Sequence, residues 1–551
     1  MDGNRGVEGG QPPVEARGQL ARAAGVLAGL TLVSRIAGLA RDVVMGAVFG
    51  ASADADAFFV AFRIPNLFRR IVAEGATSTA FVPVFTSYRE REGPGEALRA
   101  ASAVGGVAMV VLVVLVTLGW VFADGIVSLF APGFAADPAK RELTVHLTAS
   151  TFPYLALVGM AAWAMGTLHT FRRFATPALG PILLNLSIIV AALALSASLG
   201  VAALVVGVLV GGVLQFLVQV PSLRALGMRP SWLLLGRHPA VTRVGALLVP
   251  TLLGGAVYQV NILVATMFAS LLPDRSVSYL WYADRLFEFP LGIVAVAVGT
   301  AALPSLSSYA SARRYSDMAG STAHALQLVW SLCIPATVGL WLLAPEVVAT
   351  LFERGEFSQT DTLMTARALR AYAVGMFGVA SVRVLVAVFY ALERPRVPVM
   401  TAVVALAVNA LCDLALMGPV EARADWWGAD VLSSLIATLG VADLDHVGLA
   451  LGTGISATVN ALLLFGFAYR TLGGMPIRRL ARSAGRHLVA AAAMAVAVGL
   501  WSRAADTFLV ANAPAVELAG GLVIGFLVYV AVAVWVGSAE IREMFALVRR
   551  R

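Results

Sequence analysis

Long apolar runs, separated by short polar connections, fill most of the chain after residue 20. A helix needs roughly 20 apolar residues to cross the hydrocarbon core of a bilayer. About fourteen runs approach that length, near 21–49, 56–87, 101–130, 144–170, 178–199, 201–222, 242–272, 277–308, 320–343, 364–391, 398–417, 447–469, 485–502 and 516–537. An outer-membrane barrel would instead show short segments of alternating polarity. The pattern therefore predicts an all-α integral membrane protein with about fourteen transmembrane helices.

The composition supports this prediction. Of 551 residues, 59% are hydrophobic and only 13% are charged, whereas a soluble domain has about 25% charged residues. The net charge of +8 is spread over short loops, so we do not expect nucleic-acid binding. Residues 1–20 lack the apolar core and cleavage site of a signal peptide, and we interpret them as a disordered cytoplasmic tail.

The connections between the runs alternate in charge. Arginine is frequent in every second connection, as at 89–99, 224–243 and 470–486, whereas the intervening connection 418–446 is acidic. Lysine and arginine mark cytoplasmic loops of membrane proteins. We therefore expect an even number of spans with both termini in the cytoplasm, and no soluble catalytic domain.

A weak internal repeat indicates two lobes. Residues 79–88 (TAFVPVFTSY) resemble residues 300–309 (TAALPSLSSY), and the same shift aligns Arg173 with Arg394, although coincidence could explain so short a match. A repeat of about six spans keeps both copies in the same orientation. The predicted organisation is a cytoplasmic tail (1–20), an N-lobe of six helices (21–223), a cytoplasmic linker (224–241), a C-lobe of six helices (242–470), a cytoplasmic loop (471–484) and a C-terminal helix pair with a basic tail (485–551).

Several arginines lie inside the predicted spans. They are Arg35 and Arg41 in the first span, Arg63, Arg69 and Arg70 in the second, and Arg285 in the eighth. A cation at bilayer depth costs about 2.5–3.5 kcal/mol, so each must face protein, water or an anion. Arginine also presents a planar fork of donors that fits phosphate oxygens. The pattern favours a polar cavity that receives an anion with phosphate groups.

Acidic residues accompany these arginines, because residues three, four or seven apart share a helix face. The acids on or beside the arginine faces are Asp42, Asp56, Glu74, Asp284 and Glu288. One interpretation is that the arginines are only paired with these acids. Against it, Asp56 and Glu74 lie near opposite ends of their helix and cannot both neutralise its middle.

A second polar group lies in the eleventh predicted span, where Asn409 and Asp413 are one helical turn apart. A buried carboxylate beside an amide can bind a small cation through oxygen ligands. A hydrogen-bonded contact between helices is the alternative, and these two residues alone do not decide between them.

Two long segments resemble a known family. They are residues 34–85 (SRIAGLARDVVMGAVFGASADADAFFVAFRIPNLFRRIVAEGATSTAFVPVF) and residues 276–307 (SVSYLWYADRLFEFPLGIVAVAVGTAALPSLS). Both resemble signatures of the MurJ/MviN family, the lipid II flippases of bacterial peptidoglycan synthesis in the MOP transporter superfamily. The shorter segments 131–134 (APGF) and 448–461 (GLALGTGISATVNA) agree with the family in order.

The resemblance implies two six-helix lobes around a cationic cavity, and a C-terminal helix pair that forms a groove for a lipid tail. The positions that match the family's important residues are Arg35, Arg41, Asp42, Asp56, Arg69, Arg285 and Glu288. Arg63 stands where lysine is frequent in the family. The resemblance also implies a sodium site, with Asn261, Asn409, Asp413 and Thr453 as its candidate ligands. Asn261 stands where such members have an acid, which departs from the pattern, and no other cofactor is expected.

These observations favour a transporter rather than an enzyme. The expected function is to flip lipid II, the undecaprenyl-pyrophosphate-linked peptidoglycan precursor, from the inner to the outer leaflet of the bacterial cytoplasmic membrane by alternating access. The expected partners are lipid II, membrane lipids and proteins of cell-wall synthesis, and we expect a monomer.

Other functions are open at this point. A MATE-like cation or multidrug antiporter would need an acidic cavity, and an enzyme acting on polyprenyl phosphates would need clustered acids or histidines with a metal. A flippase for another polyprenyl-linked glycan would share the same arginines. A non-transporting scaffold would tolerate neutral residues in their place.

Overall fold

The computed structural model describes residues 14–69, 80–228, 238–419, 429–508 and 514–549. In these ranges the regular structure is helical apart from one isolated β-bridge between Met417 and Asp443, which confirms the all-α prediction. The helices are α1 Val14–Phe49, α2 Ala53–Arg69, α3 Val82–Arg91, α4 Pro94–Val121, α5 Ala123–Phe130, α6 Pro138–Thr151, α7 Pro153–Thr170, α8 Ala175–Ala178, α9 Gly180–Leu199, α10 Ala202–Leu217, α11 Val220–Arg224, α12 Pro239–Ser270, α13 Ser276–Ser311, α14 Tyr315–Leu342, α15 Ala344–Phe352, α16 Gln359–Ala391, α17 Arg396–Leu416, α18 Ala429–Leu439, α19 Asp445–Thr471, α20 Ile477–Phe508, α21 Pro514–Trp535 and α22 Ala539–Arg549.

Ten helical segments in the described part of the chain are long and apolar enough to cross a membrane. They are Pro94–Val121, Pro138–Thr170, Ala175–Leu199, Ala202–Arg224, Tyr315–Leu342, Gln359–Ala391, Arg396–Leu416, Asp445–Thr471, Ile477–Ala505 and Pro514–Trp535. Each coincides with a predicted run. The other four predicted runs fall on α1, on α2 with α3, on α12 and on α13. The chain is therefore a multi-pass membrane protein, while the count of fourteen spans and their arrangement in lobes stay predictions.

Local sequence signals set the helix ends that carry the candidate site. The hydroxyl of Ser52 accepts a hydrogen bond from the Ala55 N–H at the start of α2, where Asp54 and Asp56 also suit the positive end of the helix. Ser358 and Asp361 form a reciprocal capping box at the start of α16. α1 begins at Val14, earlier than the predicted start at residue 21.

Small residues allow α16 and α19 to pack backbone against backbone. A Cβ atom on Gly375 would collide with Gly454, and one on Gly378 would lie 2.7 Å from the backbone nitrogen of Thr458. Membrane helices use such residues because close van der Waals packing drives their association. Gly452, which is also on α19, lies directly against the Asp413 carboxylate of α17. This packing places the polar residues of α17 beside α19.

The chain divides into two compact units. The first comprises Met1–Val44, Pro65–Trp120 and Ser150–Leu252, and its core includes Phe81, Phe85 and Trp163. The second comprises Met45–Ile64, Val121–Ala149 and Leu253–Arg551. Its core includes a cluster of rings around Tyr282, which contacts Phe59, Phe352 and Phe357. The predicted boundaries of the lobes stay predictions.

Candidate functional site

Arg41 is held in the first unit by one acid and one amide. Its Nη2 atom lies 2.7 Å from Oδ1 of Asp42, and its Nη1 atom donates to Oδ1 of Asn185 on α9 at 3.1 Å. The amide of Asn185 in turn donates to the Ser34 carbonyl of α1 at 3.3 Å. The Asp42 side chain is 2% exposed and that of Arg41 is 12% exposed. α1 and α9 together therefore fix one guanidinium with a buried counter-charge.

Arg35, six residues before Arg41 on α1, is partly buried. Among the described residues its side chain has no hydrogen-bond or ion-pair partner. Arg35 and Asp42 are seven residues apart and share a face of α1, but they form no ion pair with each other, because Asp42 bonds to Arg41 instead. The role of Arg35 in binding an anion stays a prediction.

A second arginine group lies in the second unit, where Arg63 of α2 and Arg285 of α13 approach the same indole ring. The Cζ atoms of Arg63 and Arg285 lie 5.6 and 4.5 Å from the ring centroid of Trp281. Arg63 also donates to the Thr266 hydroxyl of α12 at 2.5 Å. Arg285 pairs with Glu288 at 3.3 Å. Three of the predicted site residues are therefore brought together here.

Asp56 makes different contacts, since it bonds to none of the described arginine side chains. Its two carboxylate oxygens accept from the ammonium of Lys140 at 3.0 Å, from the backbone N–H of Arg275 at 2.8 Å, and from both the N–H and the hydroxyl of Ser278 at 2.8 and 2.6 Å. Asp56 is 1% exposed. In this conformation it joins the N-terminal ends of α2, α6 and α13, and its role in substrate binding stays a prediction.

Lys140 continues this network. Besides Asp56 it bonds to Asp274 at 2.7 Å, and its ammonium lies 4.1 Å from the ring centroid of Phe134. A buried ammonium with two carboxylates and an aromatic face has favourable partners on several sides. The side chains of Asp56, Lys140, Asp274 and Ser278 are called the Asp56 network below.

Asp361 extends the contacts from α13 to α16. It accepts from Nη1 of Arg275 at 3.3 Å and from the hydroxyl of Tyr279 at 3.1 Å. Burial alone would lower the pKa of Arg275, but the charge of Asp361 and its hydrogen bond outweigh this and raise the pKa above its ordinary value. Arg275 is therefore a stable cation at the start of α13.

The candidate sodium ligands are only partly brought together. Asn409 donates to Oδ1 of Asp413 at 2.9 Å, and both side chains are 1% exposed. Oδ1 of Asn409 is buried without a hydrogen-bond partner among the described residues. Thr453 follows Gly452, which contacts Asp413, and its hydroxyl bonds within its own helix to the Leu449 carbonyl at 3.1 Å. A carboxylate, an unsatisfied amide oxygen and a hydroxyl suit a hard cation.

Asn261 lies on α12 and is partly buried. In the described part of the chain it makes no hydrogen bond to the other three candidate ligands. Of the four candidate ligands, Asn409 and Asp413 are seen in contact with each other, and the sodium site with Thr453 and Asn261 stays a prediction.

Two predicted site residues lack a described side chain. Arg69 ends α2, but its side chain is not among the described ones, and Arg70 lies outside the described residues together with Glu74. The expectation that α2 continues through them is therefore untested.

Sequence reasoning missed several partners of these residues. Asn185 could have been recognised as a candidate from the sequence, because a single amide side chain in an apolar run is unusual within a membrane. Trp281 precedes Arg285 by one turn, but a tryptophan at helical spacing is ordinary in a core. Lys140 had no signal, because its partner Asp56 is distant in the chain and only the fold brings the two together.

Comparisons with known proteins agree on one family. The family model described as "Lipid II flippase MurJ" matches residues 45–424. The chain is 37% identical over 458 residues to "Lipid II flippase MurJ" of Burkholderia cenocepacia, covering 81% of this chain and 83% of that protein. It is 33% identical over 536 residues to "Probable lipid II flippase MurJ" of Rhizobium meliloti, with 95% of each chain covered.

Solved structures show the same relationship. The structure of "Lipid II flippase MurJ, inward closed conformation" matches with a TM-score of 0.73 at 25% identity, covering 92% of this chain and 97% of that chain. An inward-facing multidrug resistance MATE family transporter of the MOP superfamily matches with a TM-score of 0.65 at 13% identity, covering 80% and 94%. The second likeness concerns the fold alone.

Proposed function

This chain belongs to the lipid II flippase MurJ family, and on that basis we propose that it moves lipid II from the inner to the outer leaflet of the bacterial cytoplasmic membrane. A sugar–peptide headgroup with a pyrophosphate cannot cross hydrocarbon unaided, because each unsatisfied polar group costs several kcal/mol there. The protein provides polar partners for the headgroup while the polyprenyl tail stays in lipid. The reaction is transport, and no bond of the substrate is broken.

The arginines bind the pyrophosphate. The observation that carries this proposal is the convergence of Arg63 and Arg285 on Trp281, on two helices that the apolar runs predict to cross the membrane. Cations at that depth are costly unless an anion or a polar environment compensates them, and guanidinium forks match phosphate oxygens. Arg41, Arg35, Arg69 and Arg70 add to the binding groups, and Asp42 and Glu288 keep Arg41 and Arg285 oriented until the substrate arrives.

Alternating access requires contacts that form in one state and break in another. The Asp56 network supplies such contacts, since it joins α2, α6 and α13 on the side that the arginine bias predicts to be outside. Release of Lys140 and Ser278 by Asp56 accompanies opening to that side. The charged and neutral donors then exchange protein partners for water, which limits the cost of opening.

Asn409, Asp413 and Thr453 would hold a sodium ion during the cycle. Bound there, it would neutralise the buried Asp413 carboxylate and use the amide oxygen of Asn409 that has no other described partner. The chemistry that the ion supplies is charge compensation between α17 and α19. A sodium gradient, or the membrane potential at about 2.3 kcal/mol per charge per 100 mV, then resets the transporter.

The lipid tail lies along the C-terminal helix pair formed by α20 and α21. α21 presents large apolar side chains at its surface, among them Leu522, Val523 and Phe526, each more than half exposed. Such a surface favours contact with acyl or polyprenyl chains.

We place both termini in the cytoplasm, expect a monomer surrounded by membrane lipids, and expect the cytoplasmic loops to contact proteins of cell-wall synthesis.

Reconstitution tests this function directly. The purified chain is placed in liposomes that contain lipid II with a fluorophore on its headgroup, and a membrane-impermeant quencher is added outside. Liposomes without protein should lose only the outer-leaflet signal, whereas those with protein should lose nearly all of it. Persistence of the inner pool with folded protein, together with uptake of a cationic dye, would support the antiporter alternative.

A further inference from the structure

Trp281 is the common partner of two predicted substrate-binding arginines. One face of its indole stacks on Phe59, with ring centroids 4.5 Å apart at an angle of 17°. Arg285 approaches the same ring at 4.5 Å and Arg63 at 5.6 Å. Trp281 is 3% exposed, and its Nε1 atom is buried without a hydrogen-bond partner among the described residues.

An aromatic partner affects an arginine differently from an acid. A carboxylate takes up N–H donors of the guanidinium and cancels its charge, so it competes with an anionic ligand. An indole attracts the cation through the face of the ring and leaves the in-plane N–H donors for ligand oxygens. Trp281 therefore positions two guanidiniums through its ring and does not itself take up their N–H donors.

The distances of Arg63 and Arg285 from the Trp281 ring also limit how far apart the two guanidinium groups can lie. Together they limit the separation of the two guanidinium carbons to about 10 Å. Arg63 also donates to the Thr266 hydroxyl and Arg285 pairs with Glu288, so each guanidinium has a polar partner besides the ring. Two guanidiniums held against one ring within this limit can each contact one of two adjacent phosphate groups.

We propose that Trp281 is a positioning residue that holds Arg63 and Arg285 as a pair for the two phosphates of a pyrophosphate, and so sets the preference for pyrophosphate over monophosphate lipids. The proposal rests on the proposed function, since it concerns the headgroup of the transported lipid. The buried Nε1–H group is not part of it, because the ring face alone orients both arginines.

Binding of two simple lipids tests the proposal. Dissociation constants for undecaprenyl pyrophosphate and undecaprenyl phosphate are measured on the purified full chain in detergent, for the wild type, Trp281→Leu and Trp281→Phe. Trp281→Leu should weaken pyrophosphate binding about tenfold, as expected for the loss of buried cation–π contacts, with little change for the monophosphate. Trp281→Phe keeps an aromatic face and should retain most of the preference.

A matched control is available on α16. Arg370 lies 5.7 Å from the ring centroid of Trp341, which makes the same type of contact outside the site. Trp341→Leu should leave both dissociation constants unchanged. All variants are compared by thermal unfolding, so that a folding defect is recognised, and Trp281→Phe provides the folded aromatic replacement.

The outcomes separate this inference from the proposed function. If the wild type binds undecaprenyl pyrophosphate no better than the monophosphate, the pyrophosphate assignment itself fails. If the wild type prefers pyrophosphate and a folded Trp281→Leu keeps the same preference, only the positioning role of Trp281 is wrong. If Trp281→Phe loses as much as Trp281→Leu, the indole N–H group acts on the ligand and the ring-face proposal is wrong.

Discussion

At the scale of single residues, Asp413 is a buried acid that has no cationic partner among the described residues. It is almost fully buried, and Asn409 gives it one neutral hydrogen bond. A buried carboxylate is costly unless it is protonated, paired or bound to a cation. The unsatisfied oxygen of Asn409 favours the last possibility.

We therefore expect sodium to stabilise the wild type and not Asp413→Asn. A ligand present at about 100 times its dissociation constant stabilises a folded protein by roughly 2.7 kcal/mol, so the unfolding temperature in sodium chloride should exceed that in choline chloride by several degrees. Asp430→Asn, which changes an exposed acid at the start of α18, serves as the control. An equal sodium effect in Asp413→Asn would exclude this site.

Contacts between site residues could be predicted from the sequence where both residues lie on the same helix. Arginines in apolar runs predicted the anion-binding groups that we propose, and a spacing of one helical turn predicted the contacts of Arg285 with Glu288 and of Asn409 with Asp413. Partners from distant segments were not predictable, because no spacing rule connects Lys140 with Asp56 or Arg41 with Asn185. The unsatisfied amide oxygen of Asn409 also depends on tertiary packing.

At the scale of helices, the Asp56 network holds three N-terminal ends together. Lys140 is the charged member that compensates Asp56. Removing one partner of a buried ion pair costs about 3–5 kcal/mol, because the other charge stays buried without compensation. The neutral donors of Ser278 and Arg275 reduce that cost here without cancelling it.

Lys140→Met should consequently lower the unfolding temperature by several degrees, and Lys140→Met combined with Asp56→Asn should recover part of the loss. The double-mutant cycle isolates the coupling between the two residues. Arg141→Met is the matched control, because Arg141 pairs with Asp124 at the surface and such pairs contribute little. Additive losses in the double variant would show that the pair is not coupled.

Helix positions were the most predictable feature, because a membrane requires long apolar runs with internally satisfied backbones. Ten predicted runs coincide with described helices of sufficient length. The start of α16 could also be read from the spacing of Ser358 and Asp361. The close approach of α16 to α19 could not, since glycines in membrane helices pack in many ways and Gly375 carries no signal for its partner Gly454.

At the scale of the whole molecule, the described arginines with proposed binding roles form two groups, one in each compact unit. Arg41 is fixed in the first compact unit, and Arg63 and Arg285 are fixed in the second. The family relationship covers 95% of the chain in one relative, and the binding role of both groups is our proposal. The arginines in the apolar runs predicted an anionic substrate. The identification of lipid II as that substrate depended on the resemblance of residues 34–85 and 276–307 to the family.

The most direct measurement is the amount of outer-leaflet lipid II in bacteria depleted of their own flippase, with this chain, Arg285→Ala or Arg285→Lys expressed at equal levels. The wild type should restore outer-leaflet lipid II, Arg285→Ala should leave it inside, and Arg285→Lys should restore part of it because charge remains while the bidentate fork is lost. Full restoration by Arg285→Ala would contradict the account of the arginines as pyrophosphate ligands. No restoration by a folded, membrane-inserted wild type would contradict lipid II as the substrate.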